Sequence, residues 1–142
     1  MEWHRHRHTV YKDKTVETYL HVTNWLPRGI CHTRNGDMLV SLRSKDKKQS
    51  KVVRYSGTTV KQTIQYDGDG KPLFSVDSPT VLLLTENGNG DICVADCCGG
   101  AVAVLSGAGG LRFKYSGYVS KTSTYTEFQP FFIAADYFNQ II

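Results

Sequence analysis

The chain has 142 residues, of which 40% are hydrophobic and 21% charged, with a formal net charge of +4. That length suits one domain with its own core, and no stretch approaches the roughly 20 apolar residues of a membrane-spanning helix. The N-terminus has no apolar run behind its His and Arg residues, unlike a secretory signal, so a cytoplasmic location without membrane contact is expected.

Residues 1–24 read as the tail of a truncated repeat unit. His4-Arg5-His6-Arg7-His8 is either a disordered terminus or a cationic cluster for a metal or an anion. Thr9–Lys12 and Thr15–Val22, split by Asp13-Lys14, are rich in β-branched and aromatic residues and predict two antiparallel strands. A first full unit, 25–76, opens at Trp25-Leu26-Pro27-Arg28-Gly29. It predicts strands near Ile30–Thr33, Met38–Leu42, Val52–Tyr55 and Val60–Tyr66, and closes at Asp67-Gly68-Asp69-Gly70-Lys71-Pro72. A second unit, 77–126, predicts strands near Val81–Thr85, Ile92–Ala95, Ala101–Leu105 and Leu111–Tyr115. A last partial unit, 127–142, aligns Phe131–Asp136 with Asp91–Asp96 and predicts a strand there, with a further strand starting at Ile141-Ile142.

One phrase ties these units together. Asn35-Gly36-Asp37-Met38-Leu39-Val40-Ser41 recurs 54 residues later as Asn89-Gly90-Asp91-Ile92-Cys93-Val94-Ala95. Each copy predicts a tight hairpin turn, with Asn-Gly supplying positive φ, that feeds a strand. The third turns, Ser56-Gly57 and Ser106-Gly107-Ala108-Gly109-Gly110, also match, as do the fourth strands that follow them. Helical periodicity is absent and the chain is expected to be all-β. Four antiparallel strands per unit give the rhythm of propeller blades; a β-sandwich is the alternative, but needs no repeated phrase.

Cys31, Cys93, Cys97 and Cys98 lack a pair of metal-binding hooks and read as reduced structural thiols. Asp67-Gly68-Asp69-Gly70 resembles half a calcium loop without its terminal Glu, so Asp-Gly there reads as turn geometry. No nucleophile-elbow pattern accompanies the Ser, His and Asp residues. Neither a cofactor nor a metal is expected, and the chain reads as non-catalytic. The charge is more telling. Arg43-Ser44-Lys45-Asp46-Lys47-Lys48-Gln49-Ser50-Lys51 holds five positive residues and one negative, equal to the whole formal excess.

Pro27-Arg28-Gly29-Ile30 through the Asn-Gly-Asp phrase, and Asn89 through Ala95-Asp96, resemble NHL repeats. Val52-Val53-Arg54-Tyr55-Ser56-Gly57 and Lys61-Gln62-Thr63-Ile64-Gln65-Tyr66 are similar to the C-terminal propellers of tripartite-motif (TRIM) proteins in particular. The resemblance covers about residues 9–142 and implies an incomplete NHL-type β-propeller: two complete blades and two partial ones. Family blades close the second strand with Ala-Asp, as Ala95-Asp96 and Ala135-Asp136 do; the first unit has Ser41-Leu42. The resemblance implies a protein-binding scaffold, which recruits substrates for a ubiquitin ligase in full-length relatives. RNA binding through a basic face and a truncated product without independent function are the alternatives. Ligase chemistry itself belongs to RING regions that this sequence lacks.

In such a blade the second-to-third connection and the inter-blade connection share one rim. Arg43, Lys45, Lys47, Lys48 and Lys51, with Arg28 and the His4–His8 cluster, are therefore expected to form one cationic face for a protein partner or single-stranded RNA, with Trp25 as the stacking group. Open blade edges also predict self-association or marginal stability of the isolated chain.

Overall fold

The structure, a computed structural model, describes residues 7–12, 15–76, 82–117, 128–136 and 140–142, with side chains from Leu20 onward. Ten strands and no helix are present among them. β1 (Arg7–Lys12) and β2 (Thr15–His21) form a hairpin. β3 (Trp25–His32), β4 (Met38–Ser44), β5 (Ser50–Ser56) and β6 (Thr59–Ile64) form one four-stranded antiparallel meander. β7 (Leu82–Glu86), β8 (Ile92–Asp96), β9 (Ala101–Leu105) and β10 (Leu111–Tyr115) form a second. The fold is all-β, as expected.

β4, β8 and β9 are buried along their whole length because each is an interior strand with apolar side chains on both faces. Those faces follow a rule. Leu39, Val52 and Ile64 of the first sheet pack against Leu82, Leu84, Ile92, Val94, Ala103 and Leu105 of the second. The register aligns Leu39 with Cys93 and Val40 with Val94, each counted from its own hairpin. So one face of the first sheet meets the non-equivalent face of the second. The remaining faces are covered in the same sense. Met38, Val40, Leu42, Val53 and Tyr55 lie under Leu20 of β2 with Val22 and Trp25, while Cys93, Ala95, Val102 and Val104 lie under Phe128 and Ile133. Leu73 and Phe74, in the connection between the sheets, complete the central core.

The two sheets approach closely at Gly29 on β3, where a Cβ would lie 2.3 Å from the Leu82 carbonyl oxygen on β7. Ser41 Oγ donates to that same carbonyl at 2.6 Å. Ser41, where the repeat elsewhere has Ala, thus fastens one sheet to the next. Asp96, at the next position of the other repeat, does a similar job: it accepts from Ser75 N at 2.7 Å, Ser75 Oγ at 2.5 Å and Gly99 N at 2.8 Å.

The Asn-Gly turns sit where expected, and the glycine alone supplies the positive φ. Gly36 and Gly90 have φ of 85° and 79°, whereas Asn35 and Asn89 do not have positive φ. Each turn spans four residues from Thr33 or Asn87: Gly36 N donates to Thr33 O and Gly90 N to Asn87 O, while Thr33 N and Asn87 N donate to Asp37 O and Asp91 O. This is a type I turn with a left-handed glycine bulge, not a two-residue turn with positive φ at both positions. The side chains of Thr33 and Asn87 accept the backbone N–H of Asp37 and Asp91 at 3.0 and 2.9 Å. Asp67–Lys71 repeats the pattern, with Asp67 Oδ1 accepting from Asp69 N and Lys71 N, so this carboxylate is spent on its own turn. It joins Tyr66 to Pro72 in an antiparallel bridge.

β3 starts five residues before the expected Ile30, taking in Pro27 because a register shift between Pro27 and Gly29 leaves Arg28 as an extra residue. The strand expected at Phe131–Asp136 is reduced to one bridge, Ala135 with Ile141, flanked by reciprocal bonds between Ala134 and Ile142.

Candidate functional site

The lysine-rich turn joins β4 to β5 and is tightly organised. Ser44 N donates to Gln49 O and Lys47 N to Ser44 O, while Ser44 Oγ accepts from Lys48 N and Gln49 N at 3.2 and 2.9 Å. Asp46 Oδ1 accepts from Ser44 Oγ and Lys48 N. The bond from Ser44, then that from Lys48, hold the Asp46 carboxyl below the usual aspartate range. The result is a rigid turn from which Lys45, Lys47 and Lys48 project into solvent. Lys45 N donates to Asn24 O at 3.2 Å, placing the turn beside the start of β3. There Lys51 Nζ lies 3.9 Å from the centroid of the Trp25 ring, a cation–π contact. Burial lowers the Lys51 pKa from that of a free lysine.

Five of the seven expected site residues are therefore neighbours at this end of the sheet: Trp25, Lys45, Lys47, Lys48 and Lys51. Arg43 is not available. β4 runs two residues beyond the expected Leu42, so Arg43 sits inside the ladder opposite Ser50, is 3% exposed, and has an Nε without a hydrogen-bond partner. Arg28 is exposed but lies within β3, not in a connection between units. The His4–His8 cluster lies outside the residues whose side chains are described.

The opposite end of the sheets holds a second group of charges. Lys61 Nζ and Arg54 Nη1 lie 3.1 and 3.4 Å from Asp37 Oδ2, and Arg54 Nη2 lies 3.7 Å from Glu86 Oε2 on the neighbouring sheet. Glu86 Oε1 also accepts from Arg34 N at 3.0 Å. Chiefly through Lys61, the Asp37 carboxyl is held below the usual aspartate range. In the second sheet Arg112 Nε lies 2.9 Å from Asp91 Oδ1. Lys61 and Arg112 are equivalent: each is the extra residue at a bulge in the outermost strand, and each reaches the Asp of its own Asn-Gly-Asp phrase. The two sheets diverge here to form a cleft of about 730 Å³, lined by Arg34, Arg54, Lys61, Glu86, Asp91 and Arg112 and by the Asn-Gly turns. The repeated Asp and the aligned pairs Val60-Lys61 and Leu111-Arg112 were the signal for this network.

No disulfide joins the cysteines, and no group of His, Cys, Asp and Glu among the described residues is arranged to hold a metal. Burial pushes the Cys31 and Cys93 thiols up to about 11, with Glu86 adding to the shift at Cys31 and Asp91 at Cys93.

No family model matches the sequence, and no curated protein matches it. Among solved structures, the chain is similar to a protein of unknown function from Bacteroides caccae, with a TM-score of 0.62 at 11% sequence identity. The likeness covers 89% of this chain and 42% of that one, so the chain spans less than half of that protein's length. At such identity it concerns the fold alone.

Proposed function

We propose that the chain is a non-catalytic interaction module, an NHL-type propeller segment that acts as a scaffold for a protein partner. The stacking of one sheet's face on the non-equivalent face of the next supports the blade reading. The partner segment we infer is acidic, and it meets Lys45, Lys47 and Lys48. One observation carries the choice of protein over RNA. Trp25 packs against the core on the outer face of the first sheet and is covered by Lys51 at 3.9 Å, so its ring is occupied where a base would need a free face. In a TRIM-like protein the captured partner would be presented for ubiquitin transfer by regions outside this sequence.

The test titrates a polyglutamate peptide and, separately, an oligouridine into the wild type and into K45A/K47A/K48A. The peptide is expected to bind with salt-sensitive affinity and to lose at least about tenfold in the variant. Oligouridine that binds more tightly than the peptide and quenches Trp25 fluorescence would overturn the reading in favour of RNA. Binding of neither ligand would reduce the chain to a segment without independent function.

A further inference from the structure

We propose that the cleft between the two sheets is a binding site for a phosphate ester of about nucleotide size. It is at the other end of the sheets from the lysine turn and independent of the role proposed there. Four cations, Arg34, Arg54, Lys61 and Arg112, stand against three carboxylates, Asp37, Glu86 and Asp91, and the two signs are not equally accessible. The Asp37 and Asp91 side chains are 7% and 10% exposed, whereas those of Lys61 and Arg112 are each 54% exposed. The carboxylates form the floor together with Arg54, 9% exposed and held between Asp37 and Glu86, while Arg34, Lys61 and Arg112 form the opening. The floor holds Lys61 and Arg112 in place, so little freedom of these two side chains remains to be lost on binding.

Their donors are not used up. Arg112 gives Nε to Asp91, which leaves its two terminal nitrogens without a partner among the described residues. Lys61 gives one of three N–H groups to Asp37. Arg34 uses Nη1 on the Gly88 carbonyl at 3.3 Å. A phosphate, with three outward oxygens and up to two charges, can accept from a guanidinium fork and an ammonium together, which a single planar carboxylate cannot match. The volume of about 730 Å³ far exceeds one phosphate and falls within the range of small-molecule sites. Glycines 88, 90 and 107 keep part of the remaining wall open, and Asn35, Gln62 and Asn89 line the rest.

The probes are ADP and citrate, titrated by calorimetry at low salt into the full chain. ADP is expected to bind and citrate to bind at least about tenfold more weakly. R34Q is the decisive variant, because Arg34 pairs with no carboxylate side chain and its loss leaves the ionic network intact; it should weaken ADP severalfold with the melting temperature unchanged. K61Q/R112Q should weaken it by at least about tenfold, and K45A/K47A/K48A should leave it unaltered. No ADP binding, citrate binding as tight as ADP, or equal ADP affinity in R34Q would each overturn the proposal.

Discussion

Replacing Gly29 with alanine tests how closely the two sheets approach. The added methyl would lie 2.3 Å from the Leu82 carbonyl oxygen and 3.1 Å from Ser41 Oγ. Contact with the carbonyl can be relieved only by moving β3 away from β7 by about 1 Å. That displacement stretches the 2.6 Å bond from Ser41 Oγ to Leu82 O and loosens the core around Leu39 and Leu82. Overpacking costs about 1–3 kcal/mol and the lost buried hydrogen bond about 1 kcal/mol, so Gly29→Ala should destabilise by about 2–4 kcal/mol. Urea unfolding followed by far-ultraviolet circular dichroism measures it. Ser41→Ala alone should cost about 1–2 kcal/mol, and the double variant should cost less than the sum because both act on one contact. A Gly29→Ala variant within about 0.5 kcal/mol of wild type would mean that the sheets do not meet in this way.

Lys47 has φ of 63° without being glycine, so Lys47→Gly should raise stability by about 0.5–1 kcal/mol while Lys47→Ala changes little, as read by thermal melting. Asp37 titrates below the usual aspartate value of 3.8 in the folded chain, so its pairing contributes stability that is full above that value and is lost as pH falls through the depressed one. Lys61→Met removes the main cause and should move the acid-unfolding midpoint to higher pH; an unmoved midpoint would contradict the assignment. With thiols raised from 9.0 to about 11, Cys31 and Cys93 should react with iodoacetamide at pH 8 roughly a hundredfold more slowly than unperturbed thiols. Cys97 and Cys98, half-exposed in the β8–β9 turn, should be labelled before Cys31 and Cys93, and mass spectrometry after a short exposure gives the order.

Strand positions were legible because interior strands such as Met38–Leu42 and Ile92–Ala95 are continuous apolar runs between turn residues. The turn type was not, since Asn-Gly serves both hairpin geometries and only the φ of the residue before glycine separates them. Arg43 misled for a related reason: charge in a sequence does not reveal where a ladder stops, and here it runs two residues further. The ionic cluster around Asp37 was hidden more deeply. It needs the bulges that turn Lys61 and Arg112 toward the Asp of the same sheet, and the packing that brings Glu86 to Arg54. Neither register nor facing surface is written in local composition. In the sequence Trp25 reads as an aromatic for stacking, and its occupation by Lys51 depends on β3 starting five residues early.

The unlike faces of the two sheets have a wider consequence. A stack built by laying one kind of face on the other has a direction, like nested cups, and the two outer sheet faces, those under Leu20 and under Phe128, are of opposite kind. Contact between two copies through those surfaces would therefore run head to tail, without a two-fold axis, and would close into a ring or grow into a fibre according to the angle added at each step.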